Sequence, residues 1–540
     1  MANVTFNKKQ FEKEIGKLDE KMQNQIAMFG TPIERLDDKE IEIEVFPNRP
    51  DLLSYHGFKR AFLAFLGKKV GLIEYKINKP EKNYLVTVDP SVNDVRPYVA
   101  CAIVKGLKFD DYKIKEIVDM QEKLHLTIGR KRKKVAIGIY PLEKIKLPIT
   151  FKALEPDKIK FIPLESDREM SGLQILQKHP KGREYASLLA GKSKFPIFID
   201  ADNQILSMPP IINSQNTGKV TEETTDIFIE CSGFDFEVLN KCLNIVVTNL
   251  AEMGGKIFEM EIHHKGKKVT PNLSAEKMKL SIENVNSLLG LKLNEKEVKK
   301  LLEEMGYNYN KGTAEIPPWR LDVLHEVDLI EDIAIAYGYE KFIPEIPDVT
   351  TVGKEDPKET LKEKIAGILA GLNMLELSNY HLTSKKDQFK KMLIPEEKFI
   401  EVEESKTEYT MLRKDLTHYL LKILSENVDA EYPQKIFEIG RVFNPEEKEN
   451  LALAIAPANF TEVRQILEYL SKMMNIKLDI SESDKIPNHF IEGRTIAINL
   501  DGKTIGFLGE IHPKILKNWK IKMPVALFEI NLEDIFKKLE

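Results

Sequence analysis

The same short phrase occurs twice in this chain, and that duplication constrains its fold more than any other feature. Glu44-Val-Phe-Pro-Asn-Arg-Pro-Asp-Leu-Leu-Ser54 aligns at a constant offset with Glu315-Ile-Pro-Pro-Trp-Arg-Leu-Asp-Val-Leu-His325. Glu44 matches Glu315, Pro47 matches Pro318, Arg49 matches Arg320, Asp51 matches Asp322 and Leu53 matches Leu324. The register runs without a gap to Gly67 and Gly338. Chance explains a short match; a long gapless register with paired Arg, Asp and Gly favours an internal repeat. Each copy reads as a strand, a tight proline-containing loop and a helix, so two modules of one local fold are expected.

The copies differ in charge. The second carries Asp328, Glu331 and Asp332 where the first has Gly57, Arg60 and Ala61. The fold therefore does not require the acids. Their i, i+3, i+4 spacing places them on one helix face, where like charges repel. Together with Asp322 in the preceding loop they offer the hard oxygen ligands that Mg²⁺ takes, the set being completed by another chain. A solvated acidic face partnered by Arg320 or Lys341 satisfies the same spacing. Spacing alone leaves both readings open.

Around these modules the sequence sorts into four segments. Residues 1–76 read as a small helical and strand module holding the first copy. Residues 84–260 mix strands such as 98–104, 195–200 and 226–232 with helices near 114–126 and 236–253. Residues 268–343 form a second small module with the acidic copy. In it Asn294 is a good N-cap, Glu297 completes a capping box, and Val298, Leu301, Leu302 and Met305 make one apolar face. Residues 358–540 form a larger last domain after a polar, Pro-punctuated linker. The expected class is multidomain α/β and α+β.

Composition excludes several alternatives. The 540 residues are 42% hydrophobic and 31% charged, as in ordinary folded domains rather than disordered chains. A net charge of −5 advertises no general nucleic-acid affinity, although a local patch remains compatible with it. Three cysteines without metal-ligand spacing suit a reducing compartment. The first residues lack a signal-peptide core, and no uncharged run approaches ~18 residues, so a cytosolic protein without a membrane span is expected. His263-His264 has no companion at metal spacing.

The phrases Phe46-Pro-Asn-Arg-Pro-Asp-Leu-Leu-Ser54 and Pro318 to Tyr339, with Phe437-Glu-Ile-Gly-Arg-Val-Phe443 further on, resemble the β subunits of phenylalanine–tRNA ligases of the short archaeal/eukaryotic kind. The resemblance covers essentially the whole chain. The longer bacterial form has an appended tRNA-binding domain and an anticodon-binding domain, for which no room is expected here. The resemblance implies winged-helix-like small modules, an editing domain over 84–260 and a degenerate class II synthetase core over 358–540. It assigns Asp322, Asp328, Glu331 and Asp332 to a Mg²⁺ shared with the α subunit. It also implies an α₂β₂ assembly that binds ATP on the α chain and charges tRNA(Phe), with no DNA or membrane partner.

In the last domain Met411-Leu-Arg-Lys-Asp-Leu416 and Phe437 to Gly440 echo the central class II motif, but no Gly-rich segment leading to an arginine follows. Phosphoryl transfer needs such cations, so this core is expected to be non-catalytic. An apolar pocket rejects an analogue with one extra hydroxyl by only ~10²-fold, so phenylalanine selection against tyrosine calls for a second, hydrolytic site. Strand alternation puts Asp226, Phe228, Glu230 and Ser232 on one face, with Ile227, Ile229 and Cys231 on the other. The resemblance places Ser207, Glu230 and Ser232 near the editing pocket. A solvent-facing polar strand is the competing reading. For the whole chain the rivals are a stand-alone editing hydrolase and a non-enzymatic tRNA-binding scaffold. Arg130-Lys-Arg-Lys-Lys134, the densest basic run, suits either tRNA backbone or solvent.

Overall fold

The computed structural model describes residues 2–403, 405 and 407–539, and every count and absence stated below concerns those residues. The chain divides into two units, Met1–Glu345 and Ile346–Glu540. The expectation of a mixed α/β, multidomain protein holds.

In the first unit both copies of the repeat fold as strand, loop and helix. The first runs from the strand Glu40–Val45 through a turn of 3-10 helix at Pro50–Leu52 to the helix Tyr55–Phe65. The second runs from the strand Thr313–Ile316 to the helix Glu326–Tyr337. Both loops are fixed by the same clamp. Arg49 Nε and Nη2 donate to the two Asp51 oxygens at 2.9 Å each. Arg320 does the same to Asp322 at 2.8 and 2.6 Å. Planar guanidinium matches carboxylate in this fork geometry, which explains why Arg and Asp are the paired positions.

The two copies also pack on each other. Arg60 lies 4.0 Å above the Trp319 ring, and Gly71 N donates to Glu303 O at 2.7 Å. The first module also holds a strand and two helices outside the repeat. Ala2–Asn7 is a strand that pairs with Glu40–Val45 over six positions, and the charged stretch near its start splits into the helices Lys8–Glu14 and Glu20–Met28. The expected helix after Asn294 spans Glu295–Glu304, capped as the sequence indicates, with Val298 and Leu302 fully buried.

Between the modules lie two sheets. A five-stranded sheet has the order Ile77–Asn78, Lys256–Phe258, Tyr98–Lys105, Ile227–Gly233, Val135–Pro141. One face is covered by the helices Phe236–Glu252 and Asp111–Leu126, whose apolar residues share a core with Ile227, Ile229 and Cys231. The other face packs on a seven-stranded sheet through a core that contains Phe228, Tyr140 and Cys101. A strand buried on both faces reads as a continuous apolar run, and Ile227–Gly233 is buried at every position.

The second unit is built on a seven-stranded sheet ordered Leu375–Glu376, Gln434–Asn444, Glu446–Ala456, Ala526–Asn531, Lys503–Ile511, Phe490–Leu500, Asp479–Ser481. All pairings but the first are antiparallel. Among the described residues no helix is long and apolar enough to cross a membrane.

Candidate functional site

Strand Ile227–Gly233 is hydrogen-bonded on both sides, so its polar side chains have nowhere to go but into a core or a cavity. Glu230 is 2% exposed and Ser232 fully buried, which excludes the solvent-facing reading of this strand. The alternation is as expected, with Phe228 and Ile229 in different cores. Asp226 lies just outside the strand and accepts from Gly106 N at 2.9 Å.

A carboxylate in such a place resists ionisation. Burial pushes the Glu230 pKa up to about 8, against the opposing pull of Arg96 and of the nearby Tyr140 and Ser232 hydroxyls. The Tyr140 hydroxyl lies 3.3 Å from Glu230 Oε1 and 3.4 Å from Asn213 Oδ1, so its one proton serves one of them at a time. Glu230 Oε2 has no partner. The residue paired with Glu230 in the ladder is Gly138. A Cβ there would stand 2.5 Å from Oε1 and 2.3 Å from the Tyr140 hydroxyl, so only glycine leaves room for both groups. Arg96, also buried, donates from Nε to Ser232 Oγ at 3.0 Å and from Nη2 to Ser232 O at 2.5 Å. Burial lowers its guanidinium pKa to about 10, and the Glu230 charge opposes that shift.

Glu230 forms part of the wall of a cavity of about 580 Å³, together with Asn213, Ile211, Ile137, His125, Arg132 and Glu122. Its size is that of a small-molecule site. The polar wall is locked. His125 Nε2 accepts from Ile137 N at 2.8 Å and Nδ1 faces Glu122 at 3.2 Å, which assigns the neutral, Nδ1-protonated tautomer. Burial lowers the His125 pKa further. Burial opposes ionisation of Glu122 as well, but hydrogen bonding to His125 and the Arg132 charge bring it down to about 2. Arg132 donates to Glu122 Oε1 at 2.7 Å and to Ile211 O at 2.8 Å, with its guanidinium 4.5 Å from the Tyr185 ring. Within the basic run, Arg132 is thus a wall residue, while Arg130, Lys131, Lys133 and Lys134 are exposed.

Of the three residues expected at the pocket, Glu230 alone reaches the cavity. Ser232 is turned to Arg96. Ser207, on the strand Ile205–Met208, is buried beside the Tyr140 hydroxyl and its Oγ makes no hydrogen bond. Sequence reasoning missed Tyr140, Asn213, Arg96, Glu122 and His125, which come from distant segments. One signal was available: an isolated glycine inside an apolar strand marks a close approach, and Gly138 is such a glycine.

The four acids of the second repeat copy lie near one another, but each has a different environment. Asp322 and Asp332 are held by Arg320, and Asp332 also accepts from the Tyr307 hydroxyl. Asp328 Oδ2 accepts from Leu324 N at 2.7 Å and His325 N at 2.8 Å, capping its own helix. Glu331 is exposed and has no such partner; partial burial and the charges of Asp332, Asp328 and Asp322 raise its pKa. Among the described residues no group of three or more His, Cys, Asp or Glu side chains is placed to hold a metal ion. The donor set fits a hard cation in part: Glu331 and the second Asp328 oxygen are free acceptors, whereas Asp322 and Asp332 share the Arg320 guanidinium. Neither His263 nor His264 belongs to a metal-type cluster; they face Glu261 and Asn93.

In the second unit Arg413 and Glu438 form an ion pair 2.6 Å long, 1% and 2% exposed. Asn379 donates to both Glu438 oxygens from N and Nδ2, and Arg413 Nε donates to Arg441 O at 2.7 Å. An added Cβ at Gly440 would meet Arg413 Nη2 at 2.4 Å. The guanidinium is therefore enclosed and neutralised inside the protein.

Three family models match the chain in succession: the B3/4 domain over residues 107–245, the tRNA synthetase B5 domain over 278–339, and the phenylalanyl tRNA synthetase beta chain CLM domain over 343–532. The first contains the whole cavity wall and the second the four acids. A phenylalanine–tRNA ligase beta subunit of Archaeoglobus fulgidus is 39% identical over 548 residues, 99% of each chain. That of Pyrococcus furiosus is 39% identical over 93% of this chain and 92% of its own. The crystal structure of an N-terminal fragment of the phenylalanyl-tRNA synthetase beta subunit from Pyrococcus horikoshii superposes with a TM-score of 0.59 at 37% identity, covering 62% of this chain and 99% of the fragment. With relatives this similar along its whole length, the chain belongs to the family of phenylalanine–tRNA ligase β subunits, components of an aminoacyl-tRNA ligase of protein synthesis.

Proposed function

We propose that this chain works with a separate catalytic α subunit, in an α₂β₂ assembly that charges tRNA(Phe) in the cytoplasm, and that it hydrolyses Tyr-tRNA(Phe) in the Glu230 cavity. One observation carries the hydrolytic reading. Glu230 is a buried carboxyl with an unpartnered oxygen at the wall of a ligand-sized cavity. Leaving such a group unpaired costs about 1–3 kcal/mol, and a phenolic hydroxyl would supply its partner where a phenyl ring could not. A site built to bond a hydroxyl rejects the analogue that lacks it by ~10⁴-fold or more. In the hydrolysis water attacks the ester carbon, the bond to the ribose oxygen breaks, and that oxygen takes the water proton. Tyrosine and free tRNA leave.

The unit Ile346–Glu540 is then a synthetase-like core that does not activate amino acids. The enclosure of Arg413 by Glu438 supports this, since a guanidinium so engaged cannot clamp a phosphate. ATP binds on the α chain. Glu331 and Asp328, with Asp322 and Asp332 beside them, are the residues that would hold Mg²⁺ at the contact with the α subunit. A bound ion would relieve the like charges that raise the Glu331 pKa.

The decisive experiment has two arms. Charging is measured with phenylalanine, ATP and tRNA for this chain alone and with the α subunit added. Release of tyrosine from Tyr-tRNA(Phe) is measured for the unsubstituted chain and for Glu230→Ala. Charging by this chain alone would sink the partnership. Undiminished tyrosine release by a folded Glu230→Ala protein would sink the assignment of the cavity.

A further inference from the structure

The same end of the five-stranded sheet that leads to the cavity carries an aromatic and basic surface on its outside. Register aligns Tyr98, Gly233 and Val135 across three neighbouring strands. The residues just beyond this line come together at the sheet's end. Phe234 follows Gly233 and is 53% exposed, Tyr98 is 36% exposed, and Arg130, Lys131 and Lys134 precede Val135 on the surface. Exposed apolar surface that is gathered in one place and rimmed by polar groups marks an interaction site.

Beside Tyr98 is a second cavity, of about 260 Å³. Its floor is apolar, made by Val88, Val99 and Ile262. Its walls are Phe236, Tyr98 and His264, with the last two rings edge to face at 6.1 Å. Its rim is the hairpin between Met260–His263 and Lys267–Thr270, which carries Lys265, Lys267 and Lys268. Lys268 Nζ sits 3.6 Å from the Phe236 ring, Lys267 is paired with Glu261, and Lys265 is exposed. The neighbouring acid Asp235 is engaged in capping the helix Phe236–Glu252. Arg96 joins this surface to the first cavity: its guanidinium lies 5.5 Å from the Phe234 ring, and Nη2 donates to Arg132 O at 3.5 Å.

Aromatic platforms interleaved with cations are the physical requirement for holding an unpaired nucleic-acid strand, since every base has a face to stack and every phosphate a charge. We propose that this edge is a track for the single-stranded 3′ end of a tRNA. One base occupies the slot between Tyr98, Phe236 and His264, another stacks on Phe234, and Lys265, Lys268 and the 130–134 loop carry the phosphates. The strand runs past Arg132 and delivers its ester-bearing end to the Glu230 cavity. The inference rests on the hydrolytic reading for its destination, but the binding surface stands on its own residues. Tyr98, His264 and the lysine hairpin lie outside the residues that the B3/4 model matches.

Fluorescence anisotropy with the full chain tests this, using an RNA hairpin with a short unpaired 3′ overhang and the same hairpin made blunt. The overhang is expected to tighten binding. The double variant Tyr98→Ala/Phe234→Ala is expected to weaken overhang binding at least tenfold and to leave the blunt hairpin unaffected. The exposed pair Lys265→Ala/Lys268→Ala removes two phosphate contacts, which makes the slope of log K against log salt shallower by roughly 1.4. Equal binding of both hairpins, unchanged overhang affinity in both variants, or full displacement by adenosine monophosphate at the affinity of the overhang would overturn the track. Tyrosine release from Tyr-tRNA(Phe), measured alongside, separates the two readings. Weakened overhang binding without any hydrolysis by the unsubstituted chain refutes the hydrolytic reading alone. Hydrolysis with unaltered overhang binding refutes the track alone.

Discussion

Gly138 stands opposite Glu230 in the antiparallel ladder, and its missing side chain is what lets the Glu230 carboxyl and the Tyr140 hydroxyl meet. Replacing it with alanine forces a methyl group into both. Gly138→Ala is expected to lower the unfolding free energy by about 1–3 kcal/mol, as overpacking of a core does, and to reduce tyrosine release together with it. Urea denaturation and the ester-hydrolysis assay check the two effects on one protein.

Glu230 should also leave a signature in the pH dependence of stability. Its folded pKa, about 8, lies above that of an unfolded glutamate, near 4.5. Its contribution is therefore fully present below the unfolded value and is lost as pH rises toward the folded one. Between those limits it removes up to ~1.4 kcal/mol per pH unit. Glu230→Gln should flatten the fall in stability between pH 5 and 8 relative to the unsubstituted chain, which paired denaturation curves at several pH values measure directly.

The repeated clamps predict a result that charge alone does not. Lysine keeps the charge of Arg49 and Arg320 but cannot make two parallel bonds to one carboxylate. Asp51 and Asp332 are buried. Arg49→Ala and Arg320→Ala are each expected to cost about 3–5 kcal/mol, the cost of stranding a buried charge, and the lysine variants to recover only a minor part of it. Denaturant midpoints of the four variants decide this.

The Arg413–Glu438 pair should follow the logic of a structural ion pair. Arg413→Met or Glu438→Leu alone leaves an uncompensated charge and is expected to cost about 3–5 kcal/mol, while the double substitution restores most of that loss. A double-mutant cycle measures the coupling. No recovery in the double variant would indicate that the guanidinium serves another purpose.

Cys101, Cys231 and Cys242 are free and fully buried, and burial raises the thiol pKa of Cys101 and Cys231. A thiol reagent at neutral pH is expected to modify none of the three until the chain is unfolded.

What the sequence revealed follows from which physical signals are local. The Arg–Asp spacing of the repeat, the capping box at Asn294 and the alternation along 226–232 are each set within a few residues, and each appears in the structure as expected. The strand Ala2–Asn7 was not legible, because it forms only by pairing with Glu40–Val45 far along the chain. The cavity was legible only as Glu230. Its other wall residues and Arg96 are brought together by two sheets and a helix, and no short window of sequence contains that information. Of the polar face of the strand, Glu230 lies at the cavity wall, while Ser232 supports Arg96 and is not wall.

One property of the duplicated module remains to be exploited. Because the Arg49–Asp51 turn folds without carboxylates at the positions of Asp328, Glu331 and Asp332, the chain contains its own blank for the acidic copy. Grafting Arg60 into the second copy, as Glu331→Arg, changes the one exposed acid of the four and leaves Asp328 on its helix cap and Asp332 on Arg320. A change in cation response or in assembly can then be read as chemistry at that position, because both supporting contacts of the scaffold are kept.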